Sequence, residues 1–344
     1  MLNAIVCEIR ERKNYLAGHK IETLYFGGGT PSVCSPQQMQ LMIDVVKEVY
    51  GSLDFSEITM EANPEDLIEK YLEELSGTDV NRLSIGIQSF NDRHLKFFNR
   101  RHDSGTAYNS VINAKKYGFD NINIDLIYGV PGMSLSEWEQ TLDKFIKLDV
   151  PHLSAYHLGI EDKTILGKRR QKGLLHPVAE EESMSQYALL EKVASASDYE
   201  HYEISNFAKT GMRAVHNSNY WKGLPYIGIG PSAHSFNGVD ERRWNISSNN
   251  IYLREIKSGN YFEIEKLSDN DRYNEFILTS LRTSDGVDLE LLLKKFGKEK
   301  YDAFIKIYKK LTLQGLVNEK SGKLYVPSEN FLLSNHIISE FFIV

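Results

Sequence analysis

Tyr25-Phe26-Gly27-Gly28-Gly29-Thr30-Pro31 is the stretch that decides how this chain is read. The apolar run 21–26 predicts a buried strand, and it leads directly into three glycines. Three consecutive residues without Cβ permit positive φ and let a ligand come close to the main chain. Thr30 and Pro31 end the strand. Ser35-Pro36 then opens a helix, a capping residue followed by proline at the first helical position. Taken alone, this is a glycine-rich strand-to-helix turn, so any chemistry has to be carried by residues downstream of it.

Working outward, strand-like runs fall at 21–26, 57–63, 81–90, 121–128 and 152–158, with helical patterns at 36–50, 64–76, 91–100, 104–118 and 135–148 between them. A helical pattern at 3–17 precedes them all. Strands alternating with helices predict βαβ units and a parallel sheet. In three of the strands, apolar side chains alternate with Thr59, Glu61 and Asn63, with Ser84, Gly86 and Gln88, and with Asn123 and Asp125. Each strand then has one apolar face for packing under helices and one small, polar face that ends in a carboxylate or amide. A sheet covered by helices on both sides would be apolar on both sides. A partial parallel (β/α)6 barrel with a polar ligand at its strand C-termini fits better.

The rhythm changes after Glu161. Residues 162–180 predict a charged loop and 180–197 a helix. Beyond them lie Tyr202-Glu203-Ile204-Ser205-Asn206-Phe207, His216-Asn217-Ser218-Asn219-Tyr220-Trp221 and Gly228-Ile229-Gly230-Pro231-Ser232-Ala233-His234-Ser235. Gly228, Gly230 and Ala233 match G-x-G-x-x-A, but Pro231 interrupts the motif and no helix follows, so it is rejected as a dinucleotide fingerprint. Helical patterns at 270–282, 288–296 and 298–314, with a hairpin turning on Lys320-Ser321-Gly322, predict a small winged-helix-like domain. Its basic and acidic residues nearly balance, which argues against a DNA-binding face. The expected division is a partial barrel over 1–165, a connecting region over 166–265 and a C-terminal domain over 266–344.

Apolar content of 41% and charged content of 25% are those of a soluble globular protein. Forty basic against 47 acidic residues, net −7, disfavour nucleic acid and membrane surfaces as partners. No stretch has the length of a membrane span and the N-terminus lacks a signal-peptide pattern. With two cysteines in the chain, Cys7 and Cys34, disulfides are not expected and the cytoplasm is the expected compartment.

The motifs at 25–31, 60–64 (MEANP), 82–90 (RLSIGIQSF), 99–102 (NRRH), 123–132 (NIDLIYGVPG), 202–208 (YEISNFA), 216–221 (HNSNYW) and 228–235 (GIGPSAHS) occur in one order. Together they resemble the radical S-adenosylmethionine (SAM) proteins related to oxygen-independent coproporphyrinogen III oxidase, and within them the HemW-like haem-chaperone branch. The resemblance implies SAM lying across the strand C-termini, in contact with Gly28, Gly29, Thr30, Glu61, Gln88, Arg100, Asp125 and the backbone near Gly159. The residue types suit that ligand. Open glycine backbone fits the amino-acid end, carboxylates accept from ammonium or ribose hydroxyls, and Arg100 pairs with a carboxylate. In the branch-typical 216–221 motif, His216 is a candidate axial ligand for haem. Tyr220 and Trp221 would stack on the macrocycle, Asn217 would orient the imidazole and Arg213 would meet a propionate. His234 reads as a hydrogen-bonded structural residue.

The family also holds a [4Fe–4S] cluster on a CxxxCxxC loop upstream of the GGGTP strand, and this chain has no such loop. The expectation is a chain that starts at an internal methionine, without the loop and the first barrel strand, with a natural cluster-free relative as the alternative; in either case the chain as given does not bind the cluster. The functions weighed are a haem chaperone with haem-receiving apoproteins as partners, a SAM-dependent coproporphyrinogen III oxidase, and a cluster-free module binding SAM or a partner. The 216–221 motif favours the chaperone.

Overall fold

Residues that alternate between polar and apolar build the main sheet. In the computed structural model, which describes residues 1–51 and 54–343, its strands are β1 (Thr23–Phe26), β2 (Glu57–Ala62), β3 (Arg82–Gln88), β4 (Ile122–Tyr128), β5 (His152–His157), β6 (Tyr199–Glu203) and β7 (Asn206–Lys209). Their order across the sheet is β1-β2-β3-β4-β5-β7-β6. Strands β2 to β5 pair in parallel, with Glu61 beside Ser84, Ser84 beside Asn123 and Asn123 beside His152. One face is apolar and fully buried through Ile58, Met60, Leu83, Ile85, Ile122, Ile124, Leu126 and Leu153. The other carries Thr59, Glu61, Ser84, Asn123, Asp125, His152 and Ser154, as the period of two requires. This is an α/β arrangement with a parallel sheet, consistent with a partial barrel.

The structure differs from the sequence-based expectation at several points. The glycine strand is shorter than expected, and all four of its residues are half-buried because it lies at an edge of the sheet. The expected helix 64–76 is a 3-10 turn, Pro64–Asp66, followed by a helix Glu69–Ser76. Proline starts the turn readily but the helix proper begins later. The region 162–180 contains a helix, Ile165–Gln171, whose N-terminus is capped by Thr164 accepting from the Gly167 N–H. The run around 199–207 is two strands: β7 pairs antiparallel with both β5 and β6, so a hairpin extends the parallel sheet.

The chain divides into two compact units, each assembled from separate segments. One holds Leu24–Gln37 and Glu57–Ala214; the other holds Met1–Thr23, Gln38–Ser56 and Val215–Val344, of which residue 344 lies outside the described residues. The second unit contains an antiparallel sheet of β8 (His234–Phe236), β9 (Glu241–Asn245) and β10 (Phe262–Lys266), ordered β10-β9-β8. Ala4, Tyr252, Ile256 and Tyr261 form a buried cluster there, with Phe262 against it. The same unit carries the C-terminal helices and the small sheet of β11 (Val287–Asp288), β12 (Asn318–Lys320) and β13 (Lys323–Tyr325). Ser321 and Gly322 both take positive φ between β12 and β13, as a two-residue hairpin turn requires. The two expected helices 288–296 and 298–314 are the halves of one segment, Leu289–Leu313, broken at Gly297, where φ is 79°.

Candidate ligand site

The C-terminal ends of β1 to β4 gather the polar groups of the sheet. At the end of β1, the Tyr25 hydroxyl donates to Glu61 Oε1 at 2.7 Å, and the Gly28 N–H donates to Glu61 Oε2 at 3.1 Å. The three glycines have different duties. A Cβ on Gly27 would stand 2.3 Å from the Tyr25 ring and 2.7 Å from the Glu61 carboxylate, so Gly27 is demanded by packing. Around Gly28, at φ +80°, and around Gly29, a Cβ would meet nothing within 4 Å. Their exposed backbone therefore borders open space, as a ligand cradle needs. Thr30 and Gly159 are exposed as well.

Gln88 ends β3 with φ at +67°, uncommon for a residue with a side chain, at the point where the register with β4 shifts. Bulges of this kind re-aim a side chain at the end of a strand. A Cβ on Gly86 would stand 3.1 Å from Gln88 Nε2 and 3.2 Å from Arg100 Nη2, so the amide and the guanidinium both border that glycine. Arg100 Nη2 donates to Asn63 Oδ1 at 2.8 Å and to the Gly86 carbonyl at 2.9 Å, which ties the end of β2 to β3. The residue after next, His102, is buried between the Glu65 carboxylate at 2.9 Å and the Ile87 carbonyl at 3.1 Å.

Asp125 lies on the same polar face, one strand over. Asn123 Nδ2 donates to its Oδ1 at 2.8 Å. Desolvation pushes its pKa up to about 6, against the hydrogen bonds from Asn123 and Ser154, and the charge of Glu61 adds to the rise. Asn123 is the hub beneath it: it donates to Ser84 Oγ, and its Oδ1 accepts from Ser154 Oγ at 3.1 Å and lies 2.6 Å from His152 Nδ1. With the other ring nitrogen of His152 2.7 Å from the Tyr202 hydroxyl, and with burial holding its pKa well below the ordinary value, the imidazole is neutral. The structure thus joins Gly28 to Glu61 and Glu61 to Asp125 through their charges, and places Gln88 and Arg100 both beside Gly86. Tyr25, Gly27, Asn63, Asn123 and His152 lie outside the expected contact set, although the alternation puts Asn63 and Asn123 on the polar face. The alternation in β5 marks His152 in the same way, and nothing local marks Tyr25 or Gly27.

His216 sits in the other unit, on a helix, Val215–Trp221. Its ring nitrogens lie 2.8 Å from Thr23 Oγ1 and 3.2 Å from the Tyr220 hydroxyl. Thr23 and Tyr220 therefore orient the imidazole. Arg213 is engaged with Glu200 at 3.3 Å. His234, expected to be hydrogen-bonded, is exposed, and its imidazole has no hydrogen bond among the described residues.

The residues present suit SAM at the glycine cradle, where backbone groups border open space beside an acceptor pair. They do not suit a [4Fe–4S] cluster. The chain has two cysteines, Cys7 exposed and Cys34 half-buried, and no group of three or more His, Cys, Asp or Glu among the described residues is placed to hold a metal. No helix of the described residues is long and apolar enough to cross a membrane.

The comparisons with known proteins agree with this architecture. The family model of the Radical SAM superfamily matches residues 6–145, and that of the HemN C-terminal domain matches residues 267–333. The solved coproporphyrinogen III oxidase (HemN) from Escherichia coli superposes with a TM-score of 0.83 over 99% of this chain and 82% of that one, at 22% identity. The fold is therefore that of a radical SAM protein with a HemN-type C-terminal domain. Heme chaperone HemW of Lactococcus lactis is 34% identical over 327 residues, 94% of this chain and 85% of that protein. The Bacillus subtilis HemW is 33% identical over 93% of this chain and 85% of its own length. The chain belongs to the HemW family.

Proposed function

We propose that the protein binds haem and passes it to haem-receiving apoproteins in the cytoplasm, and that its glycine cradle binds SAM. The observation that carries this reading is the 34% identity, over 94% of the chain, to a relative named as a haem chaperone. The second unit supports it with a surface suited to a flat aromatic cargo. There the Tyr220 and Tyr226 rings meet edge to face at 4.6 Å, and Tyr226 reaches Phe236 at 6.3 Å. Such rings bind a porphyrin by stacking and by removing apolar surface from water. The oxidase alternative rests on likeness of fold alone.

In the cradle, the Gly28 and Gly29 backbone would receive the amino-acid end of SAM, Glu61 and Asp125 would accept from its ammonium or ribose hydroxyls, and Arg100 would meet its carboxylate. Thr30, Gln88 and the backbone at Gly159 complete the proposed contact set. The chemistry SAM supplies in radical SAM proteins is reductive cleavage at a cluster with one open iron. No step of that kind is assigned to this chain.

Haemin titrated into the purified protein, followed at the Soret band and then challenged with apomyoglobin, tests the chaperone reading. Stoichiometric uptake followed by transfer to apomyoglobin is expected. A Soret response no different from that of haemin in buffer alone would overturn it. Calorimetric titration with SAM tests the cradle separately, and equal affinity in wild type, Asp125→Ala and Glu61→Ala would remove it.

A further inference from the structure

The second unit commits a buried ion pair to one short segment. Glu8 and Arg12, on the helix Leu2–Glu11 and at its C-terminal cap, have side chains 0% and 3% exposed and approach to 3.2 Å. Arg12 donates to the Gly228 carbonyl at 2.7 Å and to Ser235 Oγ at 2.9 Å. Glu8 accepts from the Gly230 N–H at 2.8 Å, from Asn245 Nδ2 at 2.7 Å and from the Tyr252 hydroxyl at 2.6 Å. Both charges thus grip the segment 228–235, Arg12 at its two ends and Glu8 between them. A third restraint is steric: a Cβ on Gly228 would stand 2.2 Å from the His234 carbonyl oxygen and 2.9 Å from its nitrogen, so only glycine lets the chain pass there.

What all this holds still is the backbone of His234. Ser235 turns inward, 1% exposed, to meet Arg12. His234 and Phe236 therefore project from the opposite face of β8. The His234 imidazole is exposed, has no hydrogen bond among the described residues and has the Trp244 ring 6.2 Å away. From Phe236 on the same face, ring contacts continue through Tyr226 and Tyr220 to His216.

We infer that His234 supplies the imidazole that coordinates haem iron, on the face formed by Phe236, Trp244, Tyr226 and Tyr220; the inference rests on the haem-binding reading above. A neutral imidazole donates a ring-nitrogen lone pair to the iron, while the rings cover the porphyrin. His216 would have to surrender its bond to Thr23 or to Tyr220 to do the same, whereas His234 surrenders nothing. A ligand fixed on a rigid strand loses little freedom on binding, which is what the Glu8–Arg12 grip contributes.

Haemin titrations of wild type, His234→Ala, His234→Met and His216→Ala, read by Soret position and by electron paramagnetic resonance of the ferric form, test this. His234→Ala is expected to bind at least about tenfold more weakly, the smaller end of the loss seen when even a supporting group of a metal site is removed. Its spectrum should change and return toward wild type on adding free imidazole. His234→Met should shift the Soret band without abolishing it, and His216→Ala should keep the wild-type spectrum. Circular dichroism of the exposed-site variants should be unchanged, which separates ligation from folding. If wild type takes up no haem, the haem-binding reading fails. If wild type binds and His234→Ala matches it in spectrum and affinity, that reading stands and the assignment of His234 is wrong; a spectral change confined to His216→Ala rejects the assignment in the same way.

Discussion

Glu8→Ala is the perturbation with the largest expected effect on stability. The carboxylate accepts from four donors, Arg12 at 3.2 Å, Asn245 at 2.7 Å, Tyr252 at 2.6 Å and Gly230 at 2.8 Å, and none of its surface reaches solvent. Removing it leaves Arg12 as a buried charge that still holds the Gly228 carbonyl and Ser235 but has lost its counter-ion. Breaking a buried pair from one side costs about 3–5 kcal/mol. The orphaned donors at Gly230 and Asn245 add to this unless water enters to satisfy them. With a urea slope of about 3 kcal/mol per molar, the midpoint falls by about 1 M or more. Glu8→Met with Arg12→Met removes both charges together, so it should cost less than the sum of the two single changes by about 1–3 kcal/mol. Urea melts followed by circular dichroism measure wild type, the single variants and the double variant. A midpoint loss below about 0.3 M for Glu8→Ala, or single costs that add within about 0.5 kcal/mol, would refute the claim that this pair acts as one buried unit. The variant should also weaken haem binding, although Glu8 faces no part of the proposed haem surface.

Two further predictions concern the sheet. With its pKa raised from 3.8 to about 6, Asp125 binds a proton in the folded protein that the unfolded chain has already released, so its contribution to stability grows as pH falls through that window and is a cost above it. Asp125→Asn should therefore stabilise by about 1–2 kcal/mol at pH 8, discounted for partial exposure, with the gap closing toward pH 4; a gap independent of pH would count against it. Gly27→Ala should displace the Tyr25 ring and break its bond to Glu61, lowering the thermal midpoint, whereas Gly29→Ala should leave the midpoint nearly unchanged and act on SAM affinity alone. Equal thermal losses from the two would dissolve the distinction between packing glycine and ligand glycine.

The sequence by itself determined the polar inner face of the sheet. Thr59 and Glu61, Ser84 and Gln88, and Asn123 and Asp125 alternate with apolar residues, and a period of two is a local property that survives any tertiary arrangement. It also determined that three thiolates for a cluster are absent from this chain, since composition alone decides that. What it left open was every choice made by partners far away in the chain. Gly27, Gly28 and Gly29 look alike in sequence, and only the placing of the Tyr25 ring and of Glu61, from a neighbouring strand, makes the first a packing residue while a Cβ on either of the others would meet nothing. The helical pattern expected at 3–17 forms over Leu2–Glu11, and Glu8 within it is buried because its partners Gly230 and Asn245 lie 222 and 237 residues downstream. His216 and His234 both sit among aromatics in the sequence. The fold commits both ring nitrogens of the first to Thr23 and Tyr220 and leaves the second facing solvent, because burial and hydrogen bonding are assigned by contacts that no local pattern encodes.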